Sequence, residues 1–360
     1  MTGFALYRFP YEQQVTLMEQ TEGEPQELLA CADLSDRRGF VIAPFDVSAD
    51  LPILLIKPDR LEIFDDASLC RMPDDFQFGA SKPGVWSVQT DSLERANSCR
   101  ATYDEDFRSF HLQLETGLFR KLVLSRCAEE SVDTQSDILF LFKQACKLYP
   151  RLFVSLTYTA KSGLWLTATP EILLEGSGNK WRTIALAGTM KLEGEQLNGE
   201  GEQVCWSTKN IQEQRYVATY IKECLEHFAD EIHEEGPRTV RAANLVHLRS
   251  DFSFTLLNKV RLGDVLQMLH PTPAVCGLPK HEAFQFIIEH EHSPRQYYSG
   301  FMGPILQDST RLYVSLRCMQ ILPDRFRLYA GGGLLKDSVG EQEWQETEAK
   351  LETMRRLLKS

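Results

Sequence analysis

Between Leu152 and Gly188 the chain presents four apolar runs, LFVSLTY, GLWLTAT, EILLEG and RTIALAG, with only short polar or turn-forming links between them. That spacing constrains the fold more than any other feature. Parallel pairing needs a crossover of about a dozen residues or more, and these links are too short for one. Turns such as Gly176–Asn179 suit hairpins instead, so the runs predict antiparallel strands rather than alternating βαβ units. The runs GFVIAPF and LPILLIKPDRLEIF near the N-terminus, and YYSGFMGPI, LYVSLRCM and RFRLYAGG towards the C-terminus, extend the pattern.

Helical spacing interrupts the strands. Tyr103, Phe107, Phe110 and Leu114 fall on one face, and Gly117 ends that segment. A second helix is expected over Ser136–Lys147. A long third one should run from Thr208 to Ile232, capped by Ser207 or Thr208, with Val217, Tyr220, Ile221, Cys224, Leu225 and Phe228 as its buried stripe. Helices around Leu262–Leu269 and Lys280–His290 precede a last one from Gly340 to Leu358, whose apolar side is Trp344, Leu351, Met354 and Leu358. The expected class is α+β, with helices packed outside antiparallel sheets. Residues 1–98 read as a strand-rich N-terminal part of the same fold. The polar stretch Ser87–Arg100 marks the boundary with the remaining region, 99–360.

With 43% hydrophobic and 25% charged residues, the composition is that of a globular protein, and no apolar run reaches the ~18 residues of a membrane span. The start, MTGFALYRFPYEQQ, is not a secretory signal. Nine cysteines form no CxxC pair, which suits reduced thiols and a cytoplasmic location. A net charge of −12 argues against nucleic acid as a partner. It leaves room for a small anionic substrate, because the local charge of a pocket can oppose the global one.

Several charged residues stand in apolar surroundings. Lys121 opens KLVLSR and Glu171 sits in TATPEILL. Long charged side chains ordinarily snorkel to water from such positions; a buried lysine and carboxylic acid facing one pocket would instead form an acid–base pair. Glu343, Glu346 and Lys350 share a face of the last helix, where Glu346 and Lys350 are equally an ordinary i,i+4 surface pair. Glu213, on the long helix, could join them, since two carboxylates from separate helices suit Mg²⁺. Arg317 in LYVSLRCM is suited to gripping a carboxylate. Gly331, Gly332 and Gly333 permit close backbone approach or merely a flexible turn. His247 in NLVHL is, by default, a satisfied core histidine. No GxSxG or cysteine nucleophile is present.

Taken in order, KLVLSR, TATPEILL, ALAGT, KNIQEQRYV, LVHL, LHPTPAVCGLP, SLRC, YAGGG and EWQETEAK resemble the chorismate-utilising enzymes, and within them the isochorismate synthases, over about residues 98–355. The opening GFVIAPFDVS…PILLIKPD is similar to that of the menaquinone-type enzymes. The resemblance implies an antiparallel β-sandwich core, helices outside and an active site between the sheets. It implies Lys121 as general base and Glu171 as general acid, with Mg²⁺ held by Glu213 and Glu346 beside Glu343. It also implies a substrate site formed by Gly188, His247, Ala274, Tyr298, Arg317, Tyr329, Gly331 and Lys350, with His270 in a structural role.

The implied activity is an isomerase that turns chorismate into isochorismate, adding water at C2 and losing the C4 hydroxyl, for menaquinone or siderophore biosynthesis. Anthranilate synthases resemble the chain but place Gln at Lys121, and aminodeoxychorismate synthases place Lys at Ala187. Both differences favour water as nucleophile, so no glutaminase subunit is expected. Salicylate synthase stays open as an alternative: Ala274 is isochorismate-like, whereas Tyr298 and Leu316 are salicylate-like. A non-catalytic chorismate-binding relative is the other. Asn210 and Gln214 depart from the family pattern DxxEH, which removes a negative charge near the implied metal.

Overall fold

The computed structural model describes residues 1–65, 100–131, 138–191, 204–242 and 245–359. The expected boundary in Ser87–Arg100 lies, except for Arg100 itself, outside them. Among these residues, eighteen strands and six α-helices follow one another in this order. β1 (Gly3–Arg8), β2 (Val15–Gln20), β3 (Gln26–Leu28), β4 (Gly39–Ala43), β5 (Ile53–Ile56) and β6 (Arg60–Phe64) precede α1 (Arg100–Glu115) and β7 (Lys121–Ser131). α2 (Ile138–Leu148) leads into β8 (Phe153–Thr159), β9 (Gly163–Thr169), β10 (Ile172–Ser177) and β11 (Lys180–Lys191). After α3 (Thr208–Leu225) come β12 (Ala229–Ala242), β13 (Leu245–Leu256), α4 (Leu262–Leu269), β14 (Gly277–Leu278) and α5 (Lys280–His290). β15 (Phe301–Ile305), β16 (Thr310–Val314), β17 (Cys318–Ile321), β18 (Arg325–Leu334) and α6 (Gly340–Leu358) complete the chain.

The strands form two nine-stranded sheets, ordered β14-β7-β18-β17-β9-β8-β1-β2-β6 and β12-β13-β11-β10-β16-β15-β4-β5-β3. Every pairing is antiparallel, as the short links require. The first six strands divide between the sheets, β1 pairing with β8 in one and β4 with β15 in the other. Tyr7, Phe40, Phe153, Trp165, Tyr313 and Tyr329 meet in the core between the sheets. Phe153 and Tyr313 stack across it with ring centres 4.2 Å apart.

The helices cover the outer faces. Phe142 and Ala145 of α2 and Leu351 and Met354 of α6 pack on one sheet with Leu166 and Leu328. Val217, Ile221 and Leu225 of α3 and Leu266 of α4 pack on the other with Leu174 and Ala185. α1 and α5 close one end over Leu122, Leu124 and Leu334. Each of the larger apolar side chains among these, fully buried, contributes roughly 1.5–3 kcal/mol. The antiparallel sheets with helices outside are as the sequence pattern implies, and the sandwich is as the family resemblance implies. Among the described residues no helix is long and apolar enough to cross a membrane.

The element boundaries differ from expectation in informative places. α3, capped by the Ser207 hydroxyl accepting from the Asn210 N–H, ends at Leu225 rather than Ile232. The following ADEIHEEGPRTVRA is strand β12, recruited by the β13 ladder although only its ends are buried. LYVSLRCM is not one strand. It breaks between β16 and β17, which lie in opposite sheets, with Arg317 at φ +47° in the break. YYSGFMGPI starts its strand only at Phe301, because Gln296 and Ser299 adopt positive φ in a preceding turn.

Gln214 bolts α3 to the sheet. Its Oε1 accepts from the Ala187 N–H at 2.9 Å and its Nε2 donates to the Ala185 carbonyl at 3.0 Å, both fully inside the protein. Gln214→Leu keeps the volume but strands two buried backbone groups, each costing about 1–3 kcal/mol. The expected outcome in urea unfolding is a loss of about 2 kcal/mol or more, and an unchanged midpoint would refute this role.

Candidate functional site

Two chain crossings between the sheets create the centre of the site. At Pro170–Glu171 the chain leaves β9 for β10, and at Leu316–Arg317 it returns from β16 to β17. A residue on such a crossing projects into the space between the sheets instead of following a strand's alternation. Glu171 is 3% and Arg317 5% exposed, and both line one cavity. Burial drives the Glu171 carboxyl up to about 8, against the pull of Lys121, then Lys350 and Arg317. A carboxylic acid that keeps its proton at neutral pH is a proton donor.

Arg317 is fixed from two sides. Its Nη1 donates to the Ala242 carbonyl at 3.0 Å and its Nη2 donates to His247 Nε2. The other imidazole nitrogen, Nδ1, lies 3.2 Å from the Gly188 carbonyl and 3.3 Å from Thr189 Oγ1, so it carries the proton. Burial, followed by Arg317 and Lys350, pushes His247 well below its ordinary value, and the neutral ring serves to orient the guanidinium. Burial lowers Arg317 itself to about 10, which leaves it charged at neutral pH. Gly188 makes this arrangement possible. It sits in a bulge of β11 at φ +71°, where a Cβ would meet the Asn210 carbonyl at 3.0 Å.

Lys121, at the start of β7, is fully buried directly behind Glu213 and Gly333. Its Nζ forms an ion pair with Glu213 Oε1 at 3.0 Å. Burial would raise Glu213, but Lys121 and Lys209 hold it below the ordinary carboxylate range. A methyl group on Gly333 would sit 2.0 Å from Glu213 Oε1 and 3.0 Å from Lys121 Cε. The glycine at this point of β18 is what lets α3 and β7 meet. Lys350 Nζ donates to the Gly331 carbonyl and pairs with Glu346 Oε1, both at 2.7 Å.

The cavity thus gathers Glu171, Glu213 and the eight positions expected to hold substrate: Gly188, His247, Ala274, Tyr298, Arg317, Tyr329, Gly331 and Lys350. Tyr298 and Tyr329 stack with centres 5.5 Å apart, backed by Trp165. Glu343 and Glu346 approach from α6 on the far side of the glycine run, opposite Gly332. His270, which bonds the Pro44 carbonyl, lies apart from the cavity.

Residues 78–359 match the family described as chorismate binding enzyme. The chain belongs to this family. Among its relatives, the isochorismate synthase EntC of Escherichia coli K12 is 29% identical over 238 residues, 65% of this chain and 61% of EntC. The isochorismate synthase MenF of the same strain is 36% identical over 196 residues, 54% of this chain and 45% of MenF. The chain therefore spans about half to three-fifths of these relatives' length. The crystal structure of DhbC from Bacillus anthracis superposes with a TM-score of 0.80 at 21% identity, covering 99% of this chain and 96% of DhbC. That of E. coli MenF gives 0.78 at 22%, covering 99% and 88%.

Three positions have roles that the sequence pattern does not disclose. Gln214 does not face the carboxylates at all, as its bonds to β11 show. Gly333 was legible only as part of a glycine run, and its contact with Glu213 needs the fold. Lys209 is the clearest omission. It pairs with Glu343, and it lies one helical turn before Glu213 on the same face, a spacing that could have found it.

The raised Glu171 has a measurable consequence. The folded protein keeps this proton to about pH 8, whereas the unfolded chain releases it near the ordinary 4.5. Its contribution to stability is therefore greatest below pH 4.5 and is lost as the pH rises towards 8, at up to about 1.4 kcal/mol per unit. Glu171→Gln has no proton to release, so its stability relative to wild type should increase between pH 5 and pH 9. A difference that does not change with pH, measured by urea unfolding, would contradict the shift.

Proposed function

We propose that this protein is an isochorismate synthase, an isomerase that converts chorismate to isochorismate. The observation that carries the reading is Glu171, a carboxylic acid held protonated to about pH 8 in the same cavity as Arg317, with Lys121 just behind the wall. Arg317, oriented by His247, grips the enolpyruvyl carboxylate with help from the backbone at Gly331. Lys121, once its ammonium has given up its own proton, accepts a proton at Nζ from water as the water oxygen bonds to C2 of the ring. Glu171 donates its proton to the C4 hydroxyl, which departs as water while the two ring double bonds shift. One water enters and one leaves, so the conversion is an isomerisation. Tyr298 and Tyr329 line the ring.

The acidic groups fit a hard divalent cation. Glu343 Oε2 is buried and lacks a hydrogen-bond partner, and burial together with neighbouring Glu346 pushes the Glu343 carboxyl up. A Cβ on Gly332 would lie 3.5 Å from Glu343 Oε2 and 3.7 Å from Glu346 Oε1, so both α6 acids meet the glycine run at the same point. In the arrangement described, each glutamate is turned towards a lysine, and among the described residues no three ligating side chains converge on one point. Glu213 and Glu346, with Glu343 beside them, would hold Mg²⁺, which when bound supplies positive charge for the ring carboxylate. The opening segment, which resembles that of the menaquinone-type enzymes and forms β4 and β5, supports a place in menaquinone biosynthesis.

The second reading, salicylate synthase, is favoured by one observation. A Cβ at Gly331 would lie 2.8 Å from the Tyr298 hydroxyl, which therefore stands where an enolpyruvyl carboxylate would be gripped. Ala274, also on the cavity wall, leaves the product looser. Incubation with chorismate and Mg²⁺ near pH 7–8, followed by chromatography, should give isochorismate with little salicylate. Pyruvate and salicylate rising together as the main products would promote the second reading, and unchanged chorismate would refute both.

Lys121→Ala and Glu171→Gln should each lower turnover by ~10²–10⁴-fold or more while chorismate still binds, as expected for proton-transfer groups. Near wild-type turnover in either variant would remove its assigned role. Chelation should abolish activity, and Glu346→Ala should raise the Mg²⁺ concentration needed for half-maximal rate. Full activity in excess chelator would refute the metal, and an unaltered Mg²⁺ dependence in Glu346→Ala would refute this ligand.

A further inference from the structure

Three carboxylates meet three lysines at the cavity and behind its wall. Lys121 serves Glu213, Lys350 serves Glu346, and Lys209 serves Glu343. The first two lysines have further business: Lys121 stands behind the cavity wall and Lys350 is bonded to the Gly331 carbonyl. Lys209 is placed differently. Four-fifths of its side chain is buried, its Nζ sits on the Oε1 of Glu343, and Glu213 and Glu346 also lie near enough to stabilise its charge. It enters from α3, one turn before Glu213, so a single helix brings both an acid and a cation to the same spot.

We propose that Lys209 is a built-in competitor for the divalent cation: its ammonium neutralises Glu343, near Glu213 and Glu346, and must be displaced before a metal can bind there. This rests on the reading of Glu213, Glu343 and Glu346 as cation ligands. Like charges this close cannot both occupy the cluster without a repulsion that the protein interior screens poorly. One oxygen of Glu343 is bonded to Lys209 while the other has no hydrogen-bond partner, so the carboxylate is half engaged. Metal affinity is then set by an exchange of cations rather than by simple addition. A substrate that brings its own carboxylate gives the displaced ammonium a new partner, which couples metal binding to substrate binding.

The test is Mn²⁺ binding to the full chain, followed by calorimetry or by the loss of free-ion paramagnetic signal, without and with chorismate. Without chorismate, Lys209→Met should bind Mn²⁺ at least tenfold more tightly than wild type, and Lys209→Arg, which keeps the charge, should stay within about threefold of wild type. Lys209→Gln gives the same comparison if methionine is not tolerated. In chelator the neutral variant should melt at a lower temperature than wild type, and Mn²⁺ should recover the difference. If wild type binds Mn²⁺ with chorismate but the neutral variant binds it no more tightly than wild type does without chorismate, the competitor role is overturned and the ligand reading stands. If no protein binds Mn²⁺ under any condition, the ligand reading falls and takes this proposal with it.

Discussion

A charge buried between two sheets must be paired or used, because an isolated ion in an apolar interior is strongly disfavoured. That requirement organises the middle of this molecule. The Lys121–Glu213 pair joins a strand of one sheet to the helix that covers the other, and it forms only because Gly333 carries no side chain. Around it the remaining charges are arranged in partnerships: Lys350 with Glu346, Lys209 with Glu343, and Arg317 with the neutral His247 and the Ala242 carbonyl. Glu171 is the exception. Burial outweighs the three cations that act on it, and the group stays protonated instead of forming a salt bridge.

Much of this was legible in the sequence. The short links between apolar runs dictate antiparallel pairing, and a lysine or glutamate inside such a run is conspicuous, so Lys121 and Glu171 can be singled out before any coordinates. What could not be read is where a run changes sheet. LYVSLRCM looks like one strand by alternation, yet its two halves belong to opposite sheets and the break delivers Arg317 to the cavity. Local pattern records which residues are apolar, not which ladder each will join. β12 shows the converse, since its polar composition argues against a strand until β13 supplies the partner.

Contacts made through absent side chains are harder still to foresee. Gly188, Gly332 and Gly333 matter through what approaches them: the Asn210 backbone, the α6 carboxylates, and the Glu213–Lys121 pair. Gln214 illustrates the opposite error. Read as a replacement for a histidine near a metal, it invites an argument about affinity, whereas its amide is spent on the β11 backbone and its position is a matter of stability.

The balance of charge near the glutamates therefore turns on Lys209 more than on the positions where the sequence departs from its relatives. Asn210 removes a formal negative charge, but it packs against Gly188 and its side-chain amide reaches only as far as the Thr189 carbonyl, at 3.5 Å. Its effect on any cation bound at α6 would be indirect. Lys209, in contact with Glu343, changes the net charge of the cluster by a full unit at ion-pair distance. Interaction energy falls with separation, and a group in contact outweighs one whose side chain is directed elsewhere. An arrangement in which each of these glutamates already has a lysine can stay folded without a metal, and it would be open to exchange if a doubly charged ion and an anionic ligand arrived together.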